Sequence, residues 1–176
     1  MPPSTKDRLY LIDAMALAYR MYFAFARNPL INSRGENVSA VFGFTNTLLN
    51  ILDEEKPKYF AVIYDTPEPT FRHELYSEYK AQRTEMPDDM VEQLPRIKEM
   101  LDILKIPSIE LPGYEADDII GTLAAKASKG GIETVIVTGD KDMMQLVDKN
   151  TKMLTPGRSG GDPQWLKDIY EQIALV

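Results

Sequence analysis

Cysteine is absent from this 176-residue chain, and histidine occurs once, as His73. The first absence excludes disulfides, thiolate zinc sites and cysteine nucleophiles. The second excludes a multi-histidine zinc site. No apolar run is long enough to span a bilayer, and the opening Met1-Pro2-Pro3-Ser4-Thr5-Lys6-Asp7 lacks a signal-peptide core. The expected compartment is therefore the cytoplasm, with no membrane partner. Positive charge is also in short supply: 20 Lys and Arg stand against 27 Asp and Glu, giving a formal net charge of −7. A basic footprint is the usual mark of nucleic-acid binding, so the total argues against it. The total misleads if the acids are gathered in one place, because local distribution then outweighs the sum. Two bound divalent ions would cancel more than half of the excess.

What is present fits one domain with a sizeable core, at 44% hydrophobic residues. Short apolar runs alternate with helical patterns. Strands are expected at residues 8–12, 59–64, 106–111 and 133–138, with a further one at 152–154. Helices are expected at 14–26, 39–55, about 88–104 (capped by Asp88 or Asp89, with Pro95 marking a kink or a later start), 114–128, 140–147 and 164–174. Phe42, Phe44 and Phe60 read as core. This alternation implies an α/β fold with a mostly parallel central sheet and helices on both faces. Residues 66–87 depart from it: prolines bound a stretch rich in charged and aromatic residues, of the kind that is functional or mobile.

The strand ends carry the chemistry. Leu11-Ile12 runs into Asp13, Ile63-Tyr64 into Asp65, and Val137-Thr138-Gly139 into Asp140 and Asp142, while Glu115, Asp117 and Asp118 open a helix. Each acid has a local explanation. Asp13 and Asp140 suit helix N-caps, Asp65 suits an Asx turn, and the 115–118 group suits the positive end of a helix. Jointly, four segments deliver these acids to the carboxyl edge of a parallel sheet, where open α/β folds place their sites. Gathered carboxylates repel, and a hard divalent cation with oxygen ligands, Mg²⁺ or Mn²⁺, is the natural neutraliser. Two such ions about 4 Å apart would clamp a phosphodiester and activate water without a nucleophilic side chain.

Leu11-Ile12-Asp13-Ala14 with Ala18-Tyr19-Arg20, Ser39-Ala40-Val41-Phe42-Gly43-Phe44, Asp65-Thr66-Pro67-Glu68-Pro69-Thr70-Phe71-Arg72-His73-Glu74, Tyr79-Lys80-Ala81-Gln82-Arg83, Pro112-Gly113-Tyr114-Glu115-Ala116-Asp117-Asp118 and Thr138-Gly139-Asp140-Lys141-Asp142 follow one another in order. In these blocks the chain resembles the N-terminal 5′-nuclease domain of bacterial DNA polymerase I, in the flap-endonuclease and PIN-like group, over about residues 8–168. The resemblance implies a PIN-like, resolvase-like sheet with a helical arch inserted at about 66–90, through which a single-stranded 5′ end passes. It implies Asp13, Asp65, Glu115 and Asp117 as ligands of a first Mg²⁺ or Mn²⁺ ion, and Asp140 and Asp142 as ligands of a second, with Asp117 and Asp118 near both. Lys80 and Arg83 match the positions expected to meet the scissile phosphate, with Arg72 nearby; Arg20 is placed for a phosphate or an acid, and Tyr79 and Tyr76 for stacking on bases or for packing the arch. The implied activity is metal-dependent 5′→3′ exonuclease and flap endonuclease cleavage of DNA, as in primer removal and repair, with no nucleotide cofactor.

The whole of 1–176 reads as that single domain. The family's downstream Gly-Asp-x-Ser-Asp-Asn loop and helix-hairpin-helix module are not matched, and a polymerase domain is expected only on a longer chain. Without the downstream second-metal ligands, the expectation is a chain that binds a divalent ion but cleaves flaps weakly or not at all. A competing expectation is therefore a catalytically impaired DNA-binding or interaction module that keeps the fold. A phosphatase or receiver-like reading is disfavoured, because Asp13 is followed by Ala14-Met15 rather than by x-Asp, and because a receiver needs no 66–90 insertion.

Overall fold

The structure is a computed structural model and describes residues 7–76, 78–82, 85–157 and 164–166. A six-stranded sheet runs through it in the order β3-β2-β1-β4-β5-β6. The strands are β1 (Arg8–Asp13), β2 (Tyr59–Ile63), β3 (Ser108–Ile109), β4 (Glu133–Val137), β5 (Thr151–Thr155) and β6 (Gln164–Leu166). The first five are parallel, and β6 pairs antiparallel with β5. Side chains alternate between two cores, as the period of a strand requires. Tyr10, Ile12, Val62, Val135, Val137 and Leu154 face one side. Leu11, Ala61, Ile63, Ile136 and Met153 face the other. Both sides being covered, the strands read as continuous apolar runs.

Helix α1 (Ala14–Ala24) buries Ala14, Leu17, Ala18 and Met21, the i, i+3, i+4, i+7 stripe of one helical face. It packs on α2 (Ser39–Glu54), where Gly43 admits Met21: an added Cβ would lie 2.8 Å from the Met21 Cβ. Two short helices follow, α3 (Phe71–Leu75) and α4 (Asp88–Val91), and then α5 (Leu94–Ile103) completes this layer. The opposite face is covered by α6 (Ala116–Lys129), with Asp117 and Asp118 in its first turn and Lys126 and Lys129 in its last, both favourable to the helix dipole. A 3-10 helix at Lys141–Leu146 adds Met143 to that core.

Several expectations change. The helix at 88–104 is two helices, because Pro95 lacks an N–H and belongs in a first turn; it sits in the first turn of α5. Neither Asp88 nor Asp89 caps α4; Pro87 holds that position. Asp89 instead accepts from Tyr22 Oη at 2.6 Å and Asn37 Nδ2 at 2.8 Å. Gln93 is almost fully buried and caps α2 from outside, its Oε1 accepting the Ala40 amide at 2.9 Å. Strand 106–111 shortens to two residues at the edge of the sheet. Residues 164–166 pair with β5 rather than starting a helix, and the remainder of the expected 164–174 helix lies outside the described residues. Phe44 is fully buried and Phe60 packs against the core, but Phe42 is 48% exposed, edge-on to Phe25. Among the described residues, no helix is long and apolar enough to cross a membrane.

Candidate functional site

The two ends of the sheet differ in charge balance. At the amino end, Arg8 Nε donates to Glu133 at 2.6 Å, Lys152 pairs with the same carboxylate, and Glu55 accepts from Tyr10 Oη at 2.8 Å. Each carboxylate there has a cation or a hydroxyl. At the carboxyl end, Asp13, Asp65, Asp117 and Asp140 form no ion pair with another described residue. This end contains the topological switch point. From β1 the chain crosses to β2 on one side, while β4 lies on the other, so the loops after β1 and β4 diverge and leave a crevice.

Asp13 closes β1 and is 5% exposed. It is the N-cap of α1, Oδ1 accepting the Ala16 amide at 3.0 Å, while Oδ2 accepts from the Thr138 hydroxyl at 2.8 Å. Burial raises its pKa, the two donors oppose this, and repulsion from Asp65 and Asp140 adds to it. Asp65, after β2, accepts the Ala116 amide at 2.8 Å and ties α6 to the crevice rather than making a local turn. Asp140 caps the 3-10 helix by accepting the Asp142 amide at 2.9 Å. Asp142 itself is exposed. Asp117 is raised from 3.8 to about 6, by desolvation of its carboxyl and by repulsion from Asp13, Asp140 and Asp65, with Lys80 opposing. By surface area Asp117 is exposed, so solvent screens part of that repulsion. The local capping roles and the gathering of acids are thus both present, because a strand end that starts a helix serves both.

Glu115 and Asp118 are held differently. Glu115 precedes α6, is nearly buried, and accepts Lys80 Nζ at 2.7 Å and Tyr79 Oη at 3.2 Å. Asp118 takes both terminal nitrogens of Arg72 at 2.7 Å and also accepts the Glu115 amide at 3.1 Å. The Arg72 hydrogen bonds hold its carboxyl below the ordinary value. The segment after β2 therefore folds back onto the acids. Its base is fixed where Phe71 N donates to Gly113 O at 3.2 Å, and Lys80 adopts a left-handed backbone, φ 60°, to present its ammonium. Tyr76 is 59% exposed, and Arg83 lies outside the described residues.

The donor set suits a hard divalent ion: oxygen donors only, mutually repelling, at a crevice. Among the described residues, no three of them converge closely enough to hold an ion as they stand. Two of the seven acids, Glu115 and Asp118, are turned to Lys80 and Arg72 instead. Arg20 extends from α1 along Gly139 and, with Ala16, Tyr19, Phe23 and Asp140, lines an open cavity of about 330 Å³ beside the crevice. Thr138 was not singled out by sequence reasoning. The available signal was a hydroxyl two residues before Asp140 at the end of a strand.

Comparison with known proteins agrees with this architecture. Residues 8–172 match the family described as 5′-3′ exonuclease, N-terminal resolvase-like domain. A thermostable DNA polymerase I of Thermus thermophilus is 46% identical over 165 residues, 94% of this chain and 20% of that protein. A 5′-3′ exonuclease of Aquifex aeolicus is 42% identical over 148 residues, 84% of this chain and 50% of that protein. The chain thus spans about a fifth of the polymerase and half of the exonuclease. Among solved structures, the T5 5′-exonuclease with bound divalent metal ions (zinc) superposes with a TM-score of 0.65 at 20% identity, covering 93% of this chain and 60% of that one. The catalytic core of Rad2 in complex with DNA substrate gives 0.52 at 15% identity, covering 96% and 50%. At these identities the structural likeness is one of fold. The sequence match, running from β1 through every acidic strand end, places the chain in the 5′-3′ exonuclease N-terminal, resolvase-like domain family.

Proposed function

We propose that this chain acts on DNA as a 5′→3′ exonuclease and flap endonuclease domain, hydrolysing phosphodiesters with Mg²⁺ or Mn²⁺. The observation that carries the reading is a group of carboxylates at the switch point that form no ion pair with another described residue. Four carboxylates, from three strand ends and the start of α6, lie near enough to repel one another at the carboxyl end of the sheet, whereas at the amino end Arg8 and Lys152 pair with Glu133. Mutually repelling oxygen donors of this kind suit the uptake of a hard divalent cation. Asp13, Asp65, Asp117 and Asp140 would hold the metal, joined by Glu115 and Asp142. When bound, such ions supply neutralisation of the phosphate and an activated water.

The remaining work falls to this chain's own groups. Lys80 and Arg72 overhang the acids and form the positive rim to which a phosphate would come. Lys80 holds Glu115 through a single ammonium, an exchangeable contact. Arg72 occupies both oxygens of Asp118, so in this reading Asp118 clamps the 71–82 segment to α6 rather than serving as a metal ligand. The acidic total of the chain ceases to oppose DNA binding, because the excess lies where a metal would neutralise it. The test is cleavage of a 5′-flap duplex by the purified chain with Mg²⁺ or Mn²⁺. Metal-dependent product that disappears in Asp13→Ala, while the variant stays folded, supports the proposal. Flap binding with no metal-dependent cleavage would instead favour a binding module.

A further inference from the structure

Thr138 lies at the end of β4, fully buried, with its amide donating to Leu154 O at 3.2 Å across to β5. Its hydroxyl oxygen accepts the Asp140 amide at 3.0 Å. The single hydroxyl proton then points to Asp13, donating to Oδ2 at 2.8 Å. The other Asp13 oxygen accepts the Ala16 amide at 3.0 Å. Each oxygen of this carboxylate is therefore fixed by one donor, from two separate elements, and each keeps a further lone pair. Asp140 in turn accepts the Asp142 amide at 2.9 Å. One hydroxyl thus joins the acid after β1 to the pair after β4, across the crevice and 125 residues of sequence.

We propose that Thr138 is a positioning residue: its hydroxyl sets the rotation of the Asp13 carboxylate and its register with the 140–142 turn, so that acids from two strands present to one divalent ion. The inference rests on the metal-dependent reading above. A methyl group in place of the hydroxyl removes the donor to Asp13 and strands the Asp140 amide, while keeping the volume. Asp13 is then free to rotate about the bond that its Ala16 contact alone restrains. Groups that orient a metal-binding carboxylate typically change metal affinity by about 10- to 100-fold.

The test compares wild type, Thr138→Val and Thr138→Ser for Mn²⁺ affinity, read from the electron paramagnetic resonance of free Mn²⁺. Circular dichroism on the same samples establishes folding. The expected result is affinity reduced by about tenfold or more in Thr138→Val and restored in Thr138→Ser. A folded Thr138→Val that binds Mn²⁺ like wild type overturns the role of Thr138 and leaves the functional reading standing. Wild type that binds no Mn²⁺ overturns that reading and this inference together. If Thr138→Val fails to fold, Thr138→Ala against Thr138→Ser makes the same comparison, and equal affinities in that pair refute the proposal.

Discussion

Asp117→Asn tests the electrostatics of the crevice most directly. Asp117 is raised from 3.8 to about 6 by desolvation and by the repulsion of Asp13, Asp140 and Asp65. A folded-state pKa above the unfolded one means that the ionised carboxylate destabilises the fold. The penalty is complete above about pH 6. It declines as the folded protein takes up a proton that the unfolded chain does not bind, and it is gone below about pH 4. Unscreened, a shift of about two units corresponds to about 3 kcal/mol. Because the residue is exposed, we discount this for solvent screening to about 1 kcal/mol. In EDTA at pH 7.5, Asp117→Asn should therefore be more stable than wild type by about 1 kcal/mol, and the gap should narrow by pH 5. Urea unfolding followed by far-UV circular dichroism at both pH values measures it. Divalent ion should reverse the order, since wild type gains stability by linkage where the variant has lost a donor. An Asp117→Asn variant that is no more stable at pH 7.5, or whose advantage grows as pH falls, would refute the argument.

Three further variants test individual contacts. Gly43→Ala places a Cβ 2.8 Å from that of Met21, so α1 and α2 must separate; a net loss of about 1–2 kcal/mol is expected in urea unfolding, overpacking outweighing the better helix propensity of alanine. Gln93→Ala removes the acceptor for the first amides of α2 and should cost about 1–2 kcal/mol in the same assay, whereas an unchanged midpoint would show water replacing it. Lys80→Ala leaves the nearly buried Glu115 with Tyr79 and a distant Arg72; it should lower stability in EDTA by about 1 kcal/mol yet leave Mn²⁺ affinity, measured by calorimetry, undiminished, because the ammonium competes with the ion for Glu115. In flap binding, the same variant should reduce the slope of log affinity against log salt by about 0.9 if Lys80 contacts one phosphate.

Most of the fold was legible in the sequence, because its determinants are local. The runs at 8–12, 59–64 and 133–138 are apolar at consecutive positions, which marks strands covered on both faces, and the alternation with helices forces parallel crossovers. The acids were legible as a set for the same reason: each ends a strand run or opens a helix. What failed depended on neighbours distant in sequence. The apolar pattern at 164–166 suited a helix as well as a strand, and the free edge of β5 decided it. Phe42 matched the helical stripe of α2, but it stays 48% exposed, with its ring edge-on to Phe25.

The sequence by itself determined that carboxylates collect at the carboxyl edge of a parallel sheet, since strand direction follows from the crossovers and the acid follows the strand. It did not determine which of them pair with a cation among the described residues. Asp117 and Asp118 are adjacent and chemically identical, yet a turn of about 100° between consecutive helical positions aims one at Asp13 and Asp140 and the other at Arg72. Thr138 reads in the sequence as one more β-branched strand residue. Only the pairing of β1 with β4 brings its hydroxyl to Asp13, because a hydrogen bond depends on distance in space, which these 125 residues of sequence do not record.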